Sequence, residues 1–114
     1  MIIEEIGTLK VLFNETTGVS KAGNNWTARE FVVETRDGDF VTDLHFKTFS
    51  AGHLSALKEA KVGDPVQVRY KPAAREYNGK WYDELRLFHV SVLNGYDVAT
   101  GKLAPAADDD DLPL

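Results

Sequence analysis

The spacing of apolar residues changes period only twice along this chain, which points to an antiparallel sheet interrupted by one short helix. Apolar and polar residues alternate through Gly7, Leu9, Val11 and Phe13, then through Phe31 and Val33, then through Leu44 and Phe46. A strand turns successive side chains to opposite faces, so period two marks strands that show one face to a core. Around Leu54, Leu57 and Lys58 the spacing becomes helical, and from Pro65 period two resumes through Val66, Val68 and Tyr70. Each alternating half carries one tight-turn signal, Asp37-Gly38 and Asn78-Gly79, built from residues that accept the positive φ of a short hairpin loop.

Five strands follow from these patterns. The first reaches Phe13, and the segment Asn14–Asn25, rich in Asn, Thr, Gly and Ser with no apolar periodicity, reads as a long loop. The second covers Thr27–Thr35 and the third Phe40–Phe49, where His45 and Lys47 face away from Leu44 and Phe46. Ser50 is placed to cap the helix, which ends near Ala60 before a turn at Gly63. Pro65 opens the fourth strand, and Pro72–Glu76 reads as a loop or ribbon. Lys80–Leu93 is the fifth, with Leu85 and Leu87 inward and a change of phase to Val90 and Val92 past Phe88 that signals a bulge. Phe13, Phe31, Phe40 and Tyr70 are expected in the core.

Three strands, a short helix and two strands are the element order of an all-β, five-stranded Greek-key OB barrel with its helix between strands three and four. A small SH3-like barrel is the competing architecture, but it leaves the helix without a place. A chain of 114 residues suits one such domain. The expected division is an OB domain over residues 1–97 and a disordered acidic tail over residues 98–114, because Ala104-Pro105-Ala106-Ala107 and Asp108–Asp111 bury too little to offset ordering entropy.

The same division explains the charge. Four of the 18 acidic residues are Asp108–Asp111, which leaves 14 acids against 13 Lys and Arg, so the net charge of −5 shrinks to −1 in the body. With no cysteine, disulfides, thiolate metal sites and cysteine nucleophiles are excluded. His45, His53 and His89 lack metal-ligand spacing, Asp37-Gly38-Asp39 is too short for a calcium loop, and no phosphate loop or nucleophile elbow appears. Asp83 and Glu84 point to opposite faces of a strand and make a poor acid–base pair. The expectation is a protein that is not an enzyme and holds no metal or cofactor. No secretion signal opens the chain and no apolar run nears the ~20 residues that span a bilayer, so a cytoplasmic location without membrane contact is expected.

Sequence-tolerant binding of single strands needs aromatic faces for bases and cations for phosphates. Trp26 stands beside Arg29 at the end of the long first loop, and Arg75-Glu76-Tyr77-Asn78-Gly79-Lys80-Trp81-Tyr82 interleaves three aromatics with two cations around a turn. An OB barrel binds oligonucleotides through the face of strands two and three and through these two loops. The candidate nucleic-acid-binding residues are therefore Trp26, Arg29, Lys47, Lys71, Arg75, Tyr77, Lys80, Trp81, Tyr82 and Arg86, with Lys10, Lys21 and Arg69 extending the cationic track. Against this, aromatics also fill cores, lone lysines are usually solvated, and Glu76, Asp83 and Glu84 lie among the candidates.

The chain closes on Asp108-Asp109-Asp110-Asp111-Leu112-Pro113-Leu114, an acidic run with an apolar hook at the free carboxylate. With this tip the chain resembles the bacterial single-stranded DNA-binding proteins, which end in an acidic tip closed by an aliphatic residue, Pro and Phe. Here Leu114 stands where they have Phe. Arg29–Thr35 and Arg75–Tyr82 also resemble a set of small, largely uncharacterised bacterial OB-fold proteins. The resemblance implies sequence-independent binding of single-stranded DNA in replication, repair and recombination, with Asp108–Leu114 docking on replication and repair proteins. A homo-oligomer is expected, since one small barrel binds few nucleotides. The alternative from another class is an OB-fold adaptor that binds protein and no nucleic acid, and the alternative for the tail is a solubilising segment.

Overall fold

The computed structural model describes residues 1–97 together with residues 102 and 103. Its elements in chain order are β1 (Ile3–Leu12), β2 (Thr16–Val19), β3 (Asn25–Asp37), β4 (Phe40–Thr48), α1 (Ala51–Lys58), β5 (Pro65–Tyr77), β6 (Lys80–Val92), β7 (Tyr96–Asp97) and β8 (Lys102–Leu103). The main sheet runs β4-β3-β1-β5-β6, every neighbour antiparallel, and β2 also pairs with β3. After the helix the chain returns to lay β5 beside β1, giving the spatial order of a Greek key. The sheet curls so that β4 approaches β6 at its far ends. This is the OB architecture, with the helix in the expected place.

The inward residues of the alternating segments make the core. Leu9, Phe31, Val33, Phe46, Leu57, Val66 and Val68 are fully buried, and Tyr70 and Val90 nearly so. The rings of Phe31 and Phe46 stand 5.2 Å apart, and Tyr70 meets Phe46 edge-on at 5.4 Å. Burial pushes the Tyr70 phenol above its ordinary pKa, with Glu5 adding to the rise. An eight-residue helix is too short to persist alone, and α1 is held by Leu57, which packs into the barrel. His53 ties that helix to the sheet. Its Nδ1 lies 2.7 Å from the Thr48 hydroxyl and its Nε2 lies 3.1 Å from the Phe88 carbonyl. Because a carbonyl only accepts, Nε2 carries the proton in the neutral ring and the Thr48 hydroxyl donates to Nδ1.

The structure departs from the sequence expectations in some places and agrees with them in others. Asn14–Asn25 is not all loop. Thr16–Val19 forms β2, which pairs with Asn25–Ala28 and continues along the same edge of β3 that β1 occupies. The first tight turn is Gly38-Asp39, one residue later than expected, with φ of 64° at Gly38. The second is as expected, with positive φ at both Asn78 and Gly79. Pro72–Glu76 is strand throughout, so β5 and β6 extend past the barrel as a two-stranded ribbon. The bulge past Phe88 is present: Arg69 pairs with His89 and Tyr70 with Leu87, leaving Phe88 without a partner in the ladder. Phe13 is half-exposed and Phe40 is 78% exposed, at the start of a strand next to a turn and not in the core. Ser50 occupies the N-cap position, but its side chain makes no capping hydrogen bond. The small β7–β8 ladder straddles the expected boundary at residue 97.

Candidate nucleic-acid interface

The outer face of β3 and β4 is where an OB barrel can receive a ligand, and its composition follows from strand parity. Phe31 and Phe46 point inward as a directly paired couple, so the adjacent pairs Glu30–Lys47 and Val32–His45 point outward. At the end of this face stands Trp26. It pairs with Gly18 of β2, and the indole lies flat over that residue: a Cβ there would fall 2.4 Å from Cζ2 of the ring. An aromatic laid across a cross-strand glycine covers the gap that the missing side chain leaves. Trp26 keeps 37% of its surface exposed and meets Phe49 edge-on, with centroids 5.8 Å apart. Lys47 Nζ lies 5.5 Å from the Phe49 centroid, within cation–π range.

Phe49, 57% exposed, is a site residue that sequence reasoning placed only at a strand end. The signal was available, because Lys47 and Phe49 are two residues apart and share a face. A cleft of about 1070 Å³ opens between this patch and the ribbon, lined by His45, Lys47, Phe49, Arg75, Asp83 and Leu85 among others. Polar side chains on the sheet face are largely partnered. His45 Nε2 lies 2.7 Å from Glu30, and Lys10 donates to Asp43 at 2.9 Å, a bond that raises the lysine's pKa.

Most of the expected contacts on the ribbon share one face. Lys71, Ala73, Arg75 and Tyr77 oppose Arg86, Glu84, Tyr82 and Lys80, and directly opposed residues of an antiparallel pair lie on the same side. The other side carries Pro72, Ala74 and Glu76 opposite Leu85, Asp83 and Trp81, and it continues the inward pair Tyr70–Leu87. Trp81, 68% exposed, is thereby separated from Tyr77 and Tyr82. Arg86 donates to Glu84 at 2.7 Å. That bond, with the nearby charges of Arg86 and Arg75, holds the Glu84 carboxyl below the ordinary carboxylate range. Arg29 is committed elsewhere: its Nε donates to the Phe13 carbonyl at 2.7 Å and its Nη1 to the Leu57 carbonyl at 3.2 Å, tying β3 to the end of α1. Asp108–Leu114 lie outside the described residues. Among the described residues no group of three or more His, Asp or Glu is disposed to hold a metal, and no helix is long and apolar enough to cross a membrane.

A family model described as a domain of unknown function, DUF3127, matches residues 4–91. Comparison with curated proteins finds no match. Among solved structures, the chain is similar to the mitochondrial single-stranded DNA binding protein Rim1 of S. cerevisiae, with a TM-score of 0.61 and 14% identity over 82% of this chain and 95% of that one. It is similar also to the small single-stranded DNA-binding protein of Streptomyces coelicolor, with a TM-score of 0.54 and 14% identity over 85% of this chain and 95% of that one. At these identities the likeness establishes the shared fold.

Proposed function

This chain belongs to the DUF3127 family, a domain of unknown function, and we propose that its OB barrel binds single-stranded DNA without catalysis and largely without regard to sequence. One observation carries the reading: the outer sheet face presents exposed aromatic rings, Trp26 and Phe49, in edge contact, with Lys47 over the Phe49 ring. Every base has a π-face, so such rings bind sequence-tolerantly, while Lys71, Arg75 and Lys80 neutralise phosphates. Solved structures of single-stranded DNA-binding proteins share the barrel, which supports the same reading. In this proposal the protein works in the cytoplasm as a homo-oligomer, multiplying a short footprint. The tip Asp108–Leu114 recruits replication and repair proteins through its acidic run and the apolar Leu112 and Leu114 side chains.

The test is intrinsic tryptophan fluorescence titrated with oligo-dT at low and moderate salt. Quenching that weakens with salt, by about 0.7 log units in affinity per log unit of salt for each phosphate contact, is the expected result. No quenching, together with no retention of labelled oligo-dT in a gel-shift assay, would overturn the proposal in favour of a protein-binding adaptor.

A further inference from the structure

The β5–β6 ribbon sorts its charges by face. One face holds Lys71, Arg75, Lys80 and Arg86 with Tyr77 and Tyr82, and its single carboxylate, Glu84, is bound to Arg86. The opposite face holds Glu76 and Asp83 around Trp81, with no cation between Pro72 and Leu85. Resting on the single-stranded DNA reading above, we infer that the nucleic acid runs along the Lys71–Tyr77 face of the ribbon. On that face Tyr77 and Tyr82 stack on bases and Lys71, Arg75 and Lys80 hold phosphates, while Trp81 takes no base.

Three features of the ribbon carry the assignment. Lys71 and Arg75 face the same way four positions apart on β5, about 13 Å along the strand, a span that takes two phosphate steps of an extended polynucleotide. Arg75 is paired with Tyr82 and Tyr77 with Lys80, so a cation lies directly across from each stacking ring and a base and its phosphate can be held together. A phosphate approaching Trp81 instead meets Glu76 directly across the ladder and Asp83 two residues along. Among the described residues neither carboxylate has an ion-pair partner to neutralise it. Exposure does not separate the candidates, since Trp81 and Tyr77 are about equally open to solvent. Register does.

The experiment measures binding of labelled oligo-dT to the full chain and to single variants at one salt concentration, with the salt slope taken separately for the charge variants. Tyr77→Ala and Tyr82→Ala are expected to weaken binding about fivefold or more, the loss of one stacked base, and Trp81→Ala to change it less than twofold. Lys80→Gln is expected to lower the salt slope by about 0.7, and Glu76→Gln to leave that slope unchanged. These last two are exposed positions beside the turn, so they report even where a tyrosine variant fails to fold. If the wild-type chain binds and Trp81→Ala weakens it as much as Tyr82→Ala, the face assignment is overturned while the DNA-binding reading stands. The assignment falls equally if neither substitution has an effect. A wild-type chain that does not bind oligo-dT at any salt overturns the underlying reading itself.

Discussion

Adding one methyl group at Gly18 should damage DNA binding without damaging the fold. The Cβ of an alanine there would lie 2.4 Å from Cζ2, 2.7 Å from Cε2 and 3.0 Å from Nε1 of Trp26. Carbon atoms rest at about 3.5–4.0 Å, so the indole must retreat by about 1 Å or more, off the strand and away from its edge contact with Phe49. The backbone change by itself favours the folded state, since glycine inside a strand costs about 0.5–1 kcal/mol relative to alanine. Stability and affinity therefore move independently. A displaced Trp26 loses its base stack, worth about 1–3 kcal/mol, or roughly 5- to 150-fold in Kd. Fluorescence anisotropy with labelled oligo-dT would be measured for Gly18→Ala, Trp26→Ala and the double variant, with thermal melts alongside. The double variant should bind no worse than Trp26→Ala alone, because the methyl acts only through the ring it displaces. Wild-type affinity for Gly18→Ala would refute the seating of Trp26, and additive losses would show that Gly18 acts through something other than the indole.

Glu84→Gln should release Arg86 to a phosphate, tightening binding a few-fold and steepening the salt slope by about 0.7. Titrations of the variant and the wild type at several salt concentrations check it. Because the hydrogen bond from Arg86 lowers the pKa of Glu84, its carboxyl stays ionised at pH values where an unpaired glutamate is already taking up its proton. The advantage of the variant should persist there and vanish only at lower pH, once the wild-type carboxyl is also neutral. Phe31→Ala should cost about 3–5 kcal/mol, since the ring is fully buried against Phe46. For a domain near this size that lowers Tm by about 12 °C or more, and a calorimetric shift of only a few degrees would contradict the core assignment. Deleting residues 105–114 should tighten oligo-dT binding at low salt if the acidic tail competes for the cationic face, and unchanged affinity would count against that competition.

The parts of the fold that could be read in the sequence are those where one face of an element meets the core. Val66, Val68 and Tyr70 announced β5, and the slip from Leu87 to Val90 announced the bulge, because burial forces apolar side chains into register. β2 was hidden because Thr16, Thr17, Gly18 and Val19 extend the sheet beyond the barrel, where none of them is fully buried. Phe40 misled for the related reason that an aromatic side chain can equally fill a core or stand on a hairpin tip, and the pattern of its own strand does not decide which. Arg29 looked like a phosphate ligand because a cation beside an aromatic carries no mark of the carbonyls it will meet after folding.

The face sorting of the ribbon is different, because it was legible and is a matter of arithmetic. Once Asn78-Gly79 is accepted as a two-residue turn, Tyr77 must pair with Lys80, and every pair out to Tyr70–Leu87, before the bulge, follows by counting outward. That count alone sends Glu76 and Asp83 to Trp81 and sends Lys71, Arg75 and Lys80 to the two tyrosines. Acids interspersed along a linear sequence therefore do not argue against a polyanion as ligand. In a strand the relevant charge is that of one face, and here the segment that looks mixed when read straight through resolves into a cationic side and an acidic one.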